Sequence, residues 1–154
     1  MNKTLTGWIF VAVQAALIIG LVLLPGRADW ATPVSITAVG LGFLIVGFTI
    51  MGIAALRLGR SLTPTPVPKN SGELQTQGLY QYVRHPIYTG VLATIVGVTI
   101  RSGSFLTASV AIATIGFFNI KAQWEEDQLA KTYPGYADYA KQTPRFIPRP
   151  WRNQ

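Results

Sequence analysis

The chain has 154 residues, of which 49% are hydrophobic and only 12% charged. This composition is too apolar for an ordinary small soluble domain and indicates a membrane protein. The net charge of +7 would suit a nucleic-acid binder, but the basic residues flank apolar runs, so we expect no nucleic-acid partner. The absence of cysteine excludes disulfides and thiolate chemistry. One histidine and six carboxylates are too few for a typical metal site, so we expect none.

Two long uncharged runs predict the first two transmembrane helices. Residues 5–24 have about the 20-residue length that crosses a bilayer, whereas the apolar part of a cleaved signal peptide is shorter. Residues 34–56 form the second run and contain four glycines, which allow another helix to approach closely. These glycines suit packing within one bundle or between two copies, so the oligomeric state stays open.

Two shorter runs, at 84–101 and 103–120, predict a third and a fourth transmembrane helix. Arg101 and the turn-like sequence Ser102-Gly103-Ser104 separate them, so we expect a tight hairpin. The first of the two has only 15 consecutive uncharged residues, which reach about 22 Å, so a re-entrant hairpin is the alternative. The predicted fold is therefore an all-α integral membrane protein with four transmembrane helices and a C-terminal helical segment in the cytoplasm.

The distribution of basic residues predicts the orientation, because cytoplasmic segments carry an excess of Lys and Arg. With both termini in the cytoplasm, only Arg27 and Arg101 face the other side, and the remaining eleven of the 13 Lys and Arg residues lie inside. We expect the membrane to be the bacterial inner membrane, with its lipid bilayer as the chain's main partner.

This orientation places the loop 57–83 and the tail 121–154 on the same face, where we expect them to form the binding site of a single domain. The Thr-Pro repeats of residues 63–68 predict an extended, polyproline-like path, followed by a turn at 69–72. In the tail, a helical stretch from about 121 to 132 should stop at Pro134-Gly135. A plain linker is the alternative for the loop.

The most informative sequence is GLYQYVRHPIYTG, at residues 78–90, where the third apolar run starts. Pro86 suits the first turn of a helix, because its missing N–H costs nothing there. A helix N-terminus attracts anions, and Arg84 and His85 would add hydrogen-bond donors beside it. The sequence therefore predicts a site for a carboxylate or a phosphate. Tyr88 could bond or stack there, and Gly90 would admit either a ligand or another helix.

Here the chain resembles the superfamily of isoprenylcysteine carboxyl methyltransferases and phospholipid methyltransferases. Its members carry the motif G-x-Y-x-x-x-R-H-P-x-Y-x-G, and every fixed position is present. The resemblance covers roughly residues 57–148 and includes an acidic pair, a Tyr-Pro-x-Tyr-x-x-Tyr sequence and Arg-Phe-Ile-Pro. It implies S-adenosylmethionine as cofactor, with S-adenosylhomocysteine as product. The cofactor-binding residues that it implies are Gly78, Tyr80, Arg84, His85, Pro86, Tyr88, Gly90 and Glu125.

The acidic pair Glu125-Glu126 offers acceptors for the ammonium and ribose hydroxyls of that cofactor. Adjacent helical positions point about 100° apart, so we expect one of the two, preferably Glu125, to face the ligand. Glu126, Tyr136 and Arg145 are candidates for the catalytic step. The alternatives are a solvated acidic patch for the pair, interfacial packing for Tyr136, and lipid-phosphate binding for Arg145.

The resemblance predicts methyl transfer to a lipophilic substrate at the cytoplasmic face. The chain has few candidate general bases, which favours an acceptor that is already ionised, such as a carboxylate of the isoprenylcysteine type. An N-methyltransferase acting on phospholipids or amines is the alternative. A non-catalytic lipid-binding protein of the same architecture is the second alternative. Cofactor binding discriminates the enzymes from the binding protein.

Overall fold

A computed structural model describes residues 2–24, 26–59, 62–63, 65, 67 and 74–149. All regular structure in these ranges is helical, which confirms the predicted all-α class. In chain order the elements are α1 (Lys3–Leu23), α2 (Val34–Leu58), a 3₁₀ turn (Gly78–Gln81), α3 (Pro86–Ser102), α4 (Phe105–Thr132) and α5 (Tyr136–Gln142).

Three of these helices, α1, α2 and α4, are long and apolar enough to cross a membrane. The fourth apolar helix, α3, has 17 residues and is shorter than the other three. Whether α3 also crosses completely stays a prediction.

Local sequence explains where these helices begin and end. Proline precedes α2 at Pro33 and opens α3 at Pro86, which fits its preference for the start of a helix. Gly103 ends α3 in the left-handed region at φ 58°, a conformation that glycine adopts without strain. The hydroxyl of Ser104 then caps α4 by accepting a hydrogen bond from the backbone N–H of Thr107.

The helix α4 is longer than the span predicted at 103–120. It continues without a break through the stretch predicted at 121–132 and ends just before Tyr133-Pro134-Gly135. Nothing between Ile120 and Thr132 breaks a helix, because Lys, Ala, Gln and Glu are all good helix formers. One rigid helix therefore carries both the apolar core positions and the acidic pair.

Glycines bring α2 and α3 into backbone contact. A Cβ atom added to Gly47 would lie 2.6 Å from the carbonyl oxygen of Gly90, and one added to Gly97 would lie 2.6 Å from that of Gly40. Gly42 and Gly52 of α2 have no neighbour within 4 Å of an added Cβ. Two of the four predicted packing glycines therefore pack within the chain.

Aromatic contacts join α1 to α4 next to the acidic pair Glu125-Glu126. The ring of Phe10 lies 5.9 Å from that of Phe117 and 5.5 Å from that of Trp124, measured between centroids. The loop after α2 reaches the same end of α1, since a Cβ on Gly7 would lie 3.2 Å from side-chain atoms of Thr65 and Val67. Pro64, Pro66 and residues 68–73, on which the predicted extended path and turn also depend, lie outside the described residues.

Candidate active site

The segment before α3 pairs with the C-terminal tail. The backbone N–H of Arg84 donates to the carbonyl of Pro144 at 2.8 Å, and that of His85 donates to the carbonyl of Arg145 at 3.1 Å. The tail is thus fixed beside the start of α3. This contact brings together the motif residues at 84–90 and the tail.

The carboxylate of Glu126, on α4, is the centre of the resulting cluster. Arg84 donates to its Oε1 from Nε at 3.1 Å and from Nη2 at 2.9 Å. Arg145 donates to Oε1 and Oε2 at 3.0 and 2.8 Å, and the Nε2 atom of His85 lies 3.1 Å from Oε1. The Arg84 and Glu126 side chains are only 12% and 13% exposed, so water hydrates them poorly. Each charge is therefore stabilised mainly by the opposite charge beside it.

The remaining nitrogen of the Arg84 guanidinium binds the protein as well. Its Nη1 donates to the carbonyl of Ala140 at 2.8 Å and to that of Thr143, both at the C-terminal end of α5. Arg84 therefore ties α4, α5 and the tail together. For Arg145, hydrogen bonds within the described ranges use Nε and Nη2, and its pKa is raised because it donates to Glu126.

The second carboxylate of the pair, Glu125, has different partners. Its Oε2 accepts a hydrogen bond from the hydroxyl of Tyr88 at 2.7 Å and lies 3.8 Å from Nδ1 of His85. The rings of His85 and Tyr88 are stacked, with centroids 5.2 Å apart and an interplanar angle of 4°. Glu125 is more exposed than Glu126, at 23% against 13%, so it is the more accessible acceptor for a ligand.

The hydroxyl of Tyr136 lies in the same region and makes no hydrogen bond with the described residues. The residue is 4% exposed, and its Oη has no hydrogen-bond partner among the parts of the chain that the structure describes. Burial raises the pKa of this phenol, and the nearby charges of Glu126 and Glu125 raise it further, so the hydroxyl stays protonated near neutral pH. A buried donor without a partner indicates a group that a ligand could satisfy.

Four other predicted site residues make mainly structural contacts. Gly78 begins the 3₁₀ turn at φ 65°, and Tyr80 donates from its hydroxyl to the carbonyl of Ala54 at 3.4 Å. Pro86 is fully buried at the start of α3. Gly90 faces α2, which is the helix-packing alternative that its position in the motif left open.

A lysine that sequence reasoning did not single out lies beside this cluster. Lys121 is 4% exposed, and its Nζ donates a hydrogen bond to the side-chain oxygen of Gln14 on α1. The same Nζ lies 5.2 Å from the centroid of the Tyr88 ring. Its position four residues before Glu125, on the same helical face, was the available signal.

Comparisons with known proteins agree with the resemblance of the motif. Residues 35–135 match the family model for phospholipid methyltransferases. A protein-S-isoprenylcysteine O-methyltransferase of Schizosaccharomyces pombe is 31% identical over 70% of this chain and 48% of its own length. A nickel-cobalt-cadmium resistance protein of Alcaligenes xylosoxydans xylosoxydans is 30% identical over 82% of this chain and 58% of its own length.

The fold also matches a solved structure. The structure of a eukaryotic intramembrane Ras methyltransferase, an isoprenylcysteine carboxyl methyltransferase, aligns with a TM-score of 0.68 and 22% identity over 95% of this chain and 50% of that one. The chain thus spans about half the length of the relatives it matches. Because the family model covers residues 35–135, about two thirds of the sequence, the chain belongs to the phospholipid methyltransferase family.

Proposed function

We propose that the chain is an S-adenosylmethionine-dependent methyltransferase that acts on a lipophilic acceptor at the cytoplasmic face of the membrane. The observation that carries this proposal is the cluster around Glu125 and Glu126, which a family-typical motif and the tail build together at one end of the apolar helices. Membership of the family and the likeness to methyltransferases support the reaction type.

The groups of the site fit the polar parts of the cofactor. S-adenosylmethionine carries a carboxylate, an ammonium and ribose hydroxyls, and when bound it supplies an electrophilic methyl group. The hydroxyl of Tyr136, which no described residue binds, and the guanidinium of Arg145 suit the carboxylate, while Glu125 suits the ammonium or the ribose. Glu126 and Arg84 would hold these groups in place, because their hydrogen bonds link α4 to the tail.

Aromatic side chains would exclude water from the transfer. The ring of Tyr88 packs between those of His85 and Phe118, with centroids 5.2 and 5.1 Å away, and Phe146 of the tail lies 6.1 Å from His85. In-line transfer depends on alignment of the acceptor with the methyl group and on exclusion of competing water. We favour a carboxylate acceptor of the isoprenylcysteine type over a phospholipid or amine headgroup, since a carboxylate needs no general base.

Cofactor binding tests this function directly. Calorimetry on the protein in nanodiscs, titrated with S-adenosylhomocysteine, should show binding by the parent. Glu125→Gln should weaken it at least tenfold, because the neutral amide loses the charge-assisted bond to the ammonium. Asp138→Asn is the matched control, because Asp138 is 76% exposed and pairs only with Lys141 in the described structure. A parent that does not bind would rule out the enzyme.

Product analysis separates the candidate reactions. The protein would be incubated with methyl-labelled S-adenosylmethionine and fractionated bacterial lipids. Label that is released by mild base indicates an ester and supports O-methylation, whereas base-stable label in amine lipids indicates N-methylation. A protein that binds the cofactor but labels no fraction would be the non-catalytic lipid-binding alternative.

The orientation can be tested because the natural chain has no cysteine. Single cysteines introduced as Lys3→Cys and Lys141→Cys should react with a membrane-impermeant maleimide only after the cells are permeabilised. Asp29→Cys, between α1 and α2, should react from outside in intact cells. Labelling of Lys141→Cys in intact cells would contradict a cytoplasmic tail.

A further inference from the structure

Lys121 is a buried cation whose hydrogen-bond partner among the described residues is a neutral amide. Its Nζ donates to the neutral amide of Gln14 and lies 5.2 and 5.9 Å from the ring centroids of Tyr88 and Phe118. No carboxylate of the described residues lies within 4 Å of it. An ammonium has three donors, and a buried charge is costly unless an opposite charge and hydrogen bonds compensate it. The carboxylate that acts on its charge, Glu125, lies one helical turn away and accepts a hydrogen bond from Tyr88, so Lys121 has no direct anionic partner among the described residues.

The contact with Gln14 lies deep along the apolar helices. Gln14 is about halfway along α1, roughly 16 Å from the first residue of that helix at 1.5 Å per residue. The rings of Phe10 and Trp124 pack at 5.5 Å nearby and place α4 alongside this part of α1. Polar and charged side chains at such depth that face the bundle interior usually serve a function.

Lys121 adjoins the proposed cofactor site from this apolar side. It lies one helical turn before Glu125, and it contacts the Tyr88 ring, whose hydroxyl donates to Glu125. Arg84 and Arg145, in contrast, both bind Glu126. Two cations thus share Glu126, and Lys121 keeps hydrogen-bond donors of its ammonium for a ligand group that reaches the site from the apolar side.

The charge balance of methyl transfer indicates the sign of that group. The basic side chains counted here are Arg84, Arg145 and Lys121, and the acidic ones are Glu125 and Glu126. Their net charge is +1, and S-adenosylmethionine adds another positive charge. An ammonium acceptor would add a third positive charge beside Lys121, whereas an anionic oxygen would offset one. In the transfer to such an oxygen, the C–O bond forms as the S–C bond breaks. The sulfonium and oxyanion charges disappear together, and no proton is moved.

We propose that Lys121, held by Gln14, binds the anionic oxygen of the lipophilic acceptor and selects it over amine headgroups. The proposal rests on the methyl-transfer function proposed above and narrows its substrate class. Lys121 is then a specificity-determining residue that positions the acceptor, at a distance from the cations that hold Glu126.

The test compares two probes that differ in one group. Binding of N-acetyl-S-dodecylcysteine and of its primary amide would be measured in nanodiscs saturated with S-adenosylhomocysteine. The parent should bind the acid at least tenfold more tightly than the amide. Lys121→Met should lose this preference without weaker binding of the amide, and Lys121→Arg should restore part of it. Lys131→Met, the same change at an exposed position of α4, should behave like the parent.

The outcomes separate this inference from the proposed function. A parent that does not bind S-adenosylhomocysteine contradicts methyl transfer, whatever Lys121 does. A parent that binds the cofactor product but does not prefer the acid overturns the role of Lys121. Equal weakening of acid and amide in Lys121→Met also overturns it, because that result indicates lost packing. If Lys121→Met does not fold, Gln14→Leu keeps the charge but removes its anchor, and an unchanged acid preference there overturns the proposal.

Discussion

The helix α3 is held in two different ways along its length. In its apolar part it contacts α2 through glycines, with Gly47 and Gly90 close enough that an added Cβ atom would lie 2.6 Å from a carbonyl oxygen. At its N-terminal end it is fixed by charges, because the residues just before it bind Glu126 and the tail. The first contact depends on shape alone, and the second depends on charge and hydrogen bonds.

The glycine contact is therefore structural, whereas the charged cluster can take part in ligand binding. Backbone contact between glycines leaves no space or polar group for a ligand, so it can only fix the position of α3. The charged cluster contains donors and acceptors that can exchange partners when a ligand binds, and it contains the Tyr136 hydroxyl, which has no partner among the described residues. A rigid glycine contact next to an adaptable charged cluster keeps the latter in place while its hydrogen bonds change.

The largest effect on stability is expected at the charged end. Glu126→Gln keeps the shape of the side chain but leaves Arg84 and Arg145 without their common anion, and breaking a buried ion pair in this way costs about 3–5 kcal/mol. Thermal unfolding in detergent would measure the loss. Asp138→Asn, at an exposed pair, should stay within about 0.5 kcal/mol of the parent. Equal stability of the two variants would show that the cluster contributes little.

A smaller loss is expected at the glycine contact. In Gly47→Ala the added Cβ would clash with the Thr94 hydroxyl and lie 2.6 Å from the Gly90 carbonyl, so the helices must separate, at a cost of about 1–3 kcal/mol. Gly42→Ala on the same helix has no neighbour within 4 Å and should be neutral or slightly stabilising. Equal unfolding of the two variants would show that α2 and α3 do not pack in backbone contact at Gly47.

Hydropathy predicts the bounds of α1 and α2, but it does not predict where α4 ends. The predicted spans 5–24 and 34–56 agree closely with α1 (Lys3–Leu23) and α2 (Val34–Leu58). Hydropathy detects where the chain becomes polar, and polarity does not end a helix. The good helix formers after Ile120 therefore extend α4 to Thr132, well past the predicted boundary.

The site could be predicted in composition but not in pairing. The motif pointed to Arg84, His85 and Glu125, but which carboxylate binds the arginines depends on how α4 turns toward the tail. Lys121 is only one of the eleven basic residues expected on the cytoplasmic side, and Gln14 lies within the uncharged run at 5–24. Their contact joins residues 107 positions apart, and no local pattern predicts such a distance in sequence.

The hydrogen bond between the loop that joins α1 to α2 and the start of α4 should have a modest effect. The carboxylate of Asp29 accepts a hydrogen bond from the backbone N–H of Phe105 at 2.7 Å, at the N-terminus of α4. Asp29→Ala should cost about 0.5–1 kcal/mol, because a helix start loses its acceptor and a favourable charge. Asp29→Asn keeps the acceptor and should recover about half of this loss. Unfolding measurements that rank Asn below Ala would contradict this role.

Tyr136→Phe should have the smallest effect on stability and a clear effect on ligand binding. The Tyr136 hydroxyl is buried without a described partner, so its removal should change the stability at neutral pH by only a few tenths of a kcal/mol. Binding of S-adenosylhomocysteine should weaken about tenfold, as expected for the loss of a hydrogen bond to a charged group. Calorimetry and unfolding on the same samples measure both effects, and lost stability with unchanged binding would make Tyr136 a packing residue only.

Alkaline pH provides an independent check of Tyr136. Burial raises the pKa of its phenol above the ordinary value of 10, so the folded state retains a proton that the unfolded state releases. The stability from this residue is therefore complete below pH 10 and is lost as the pH rises above it. Since phenylalanine cannot ionise, Tyr136→Phe should lose about 1 kcal/mol less than the parent between pH 9 and pH 11. A ligand that accepts a hydrogen bond from the hydroxyl should leave this difference unchanged, because the folded state already retains its proton at pH 11 and the loss comes from ionisation in the unfolded state.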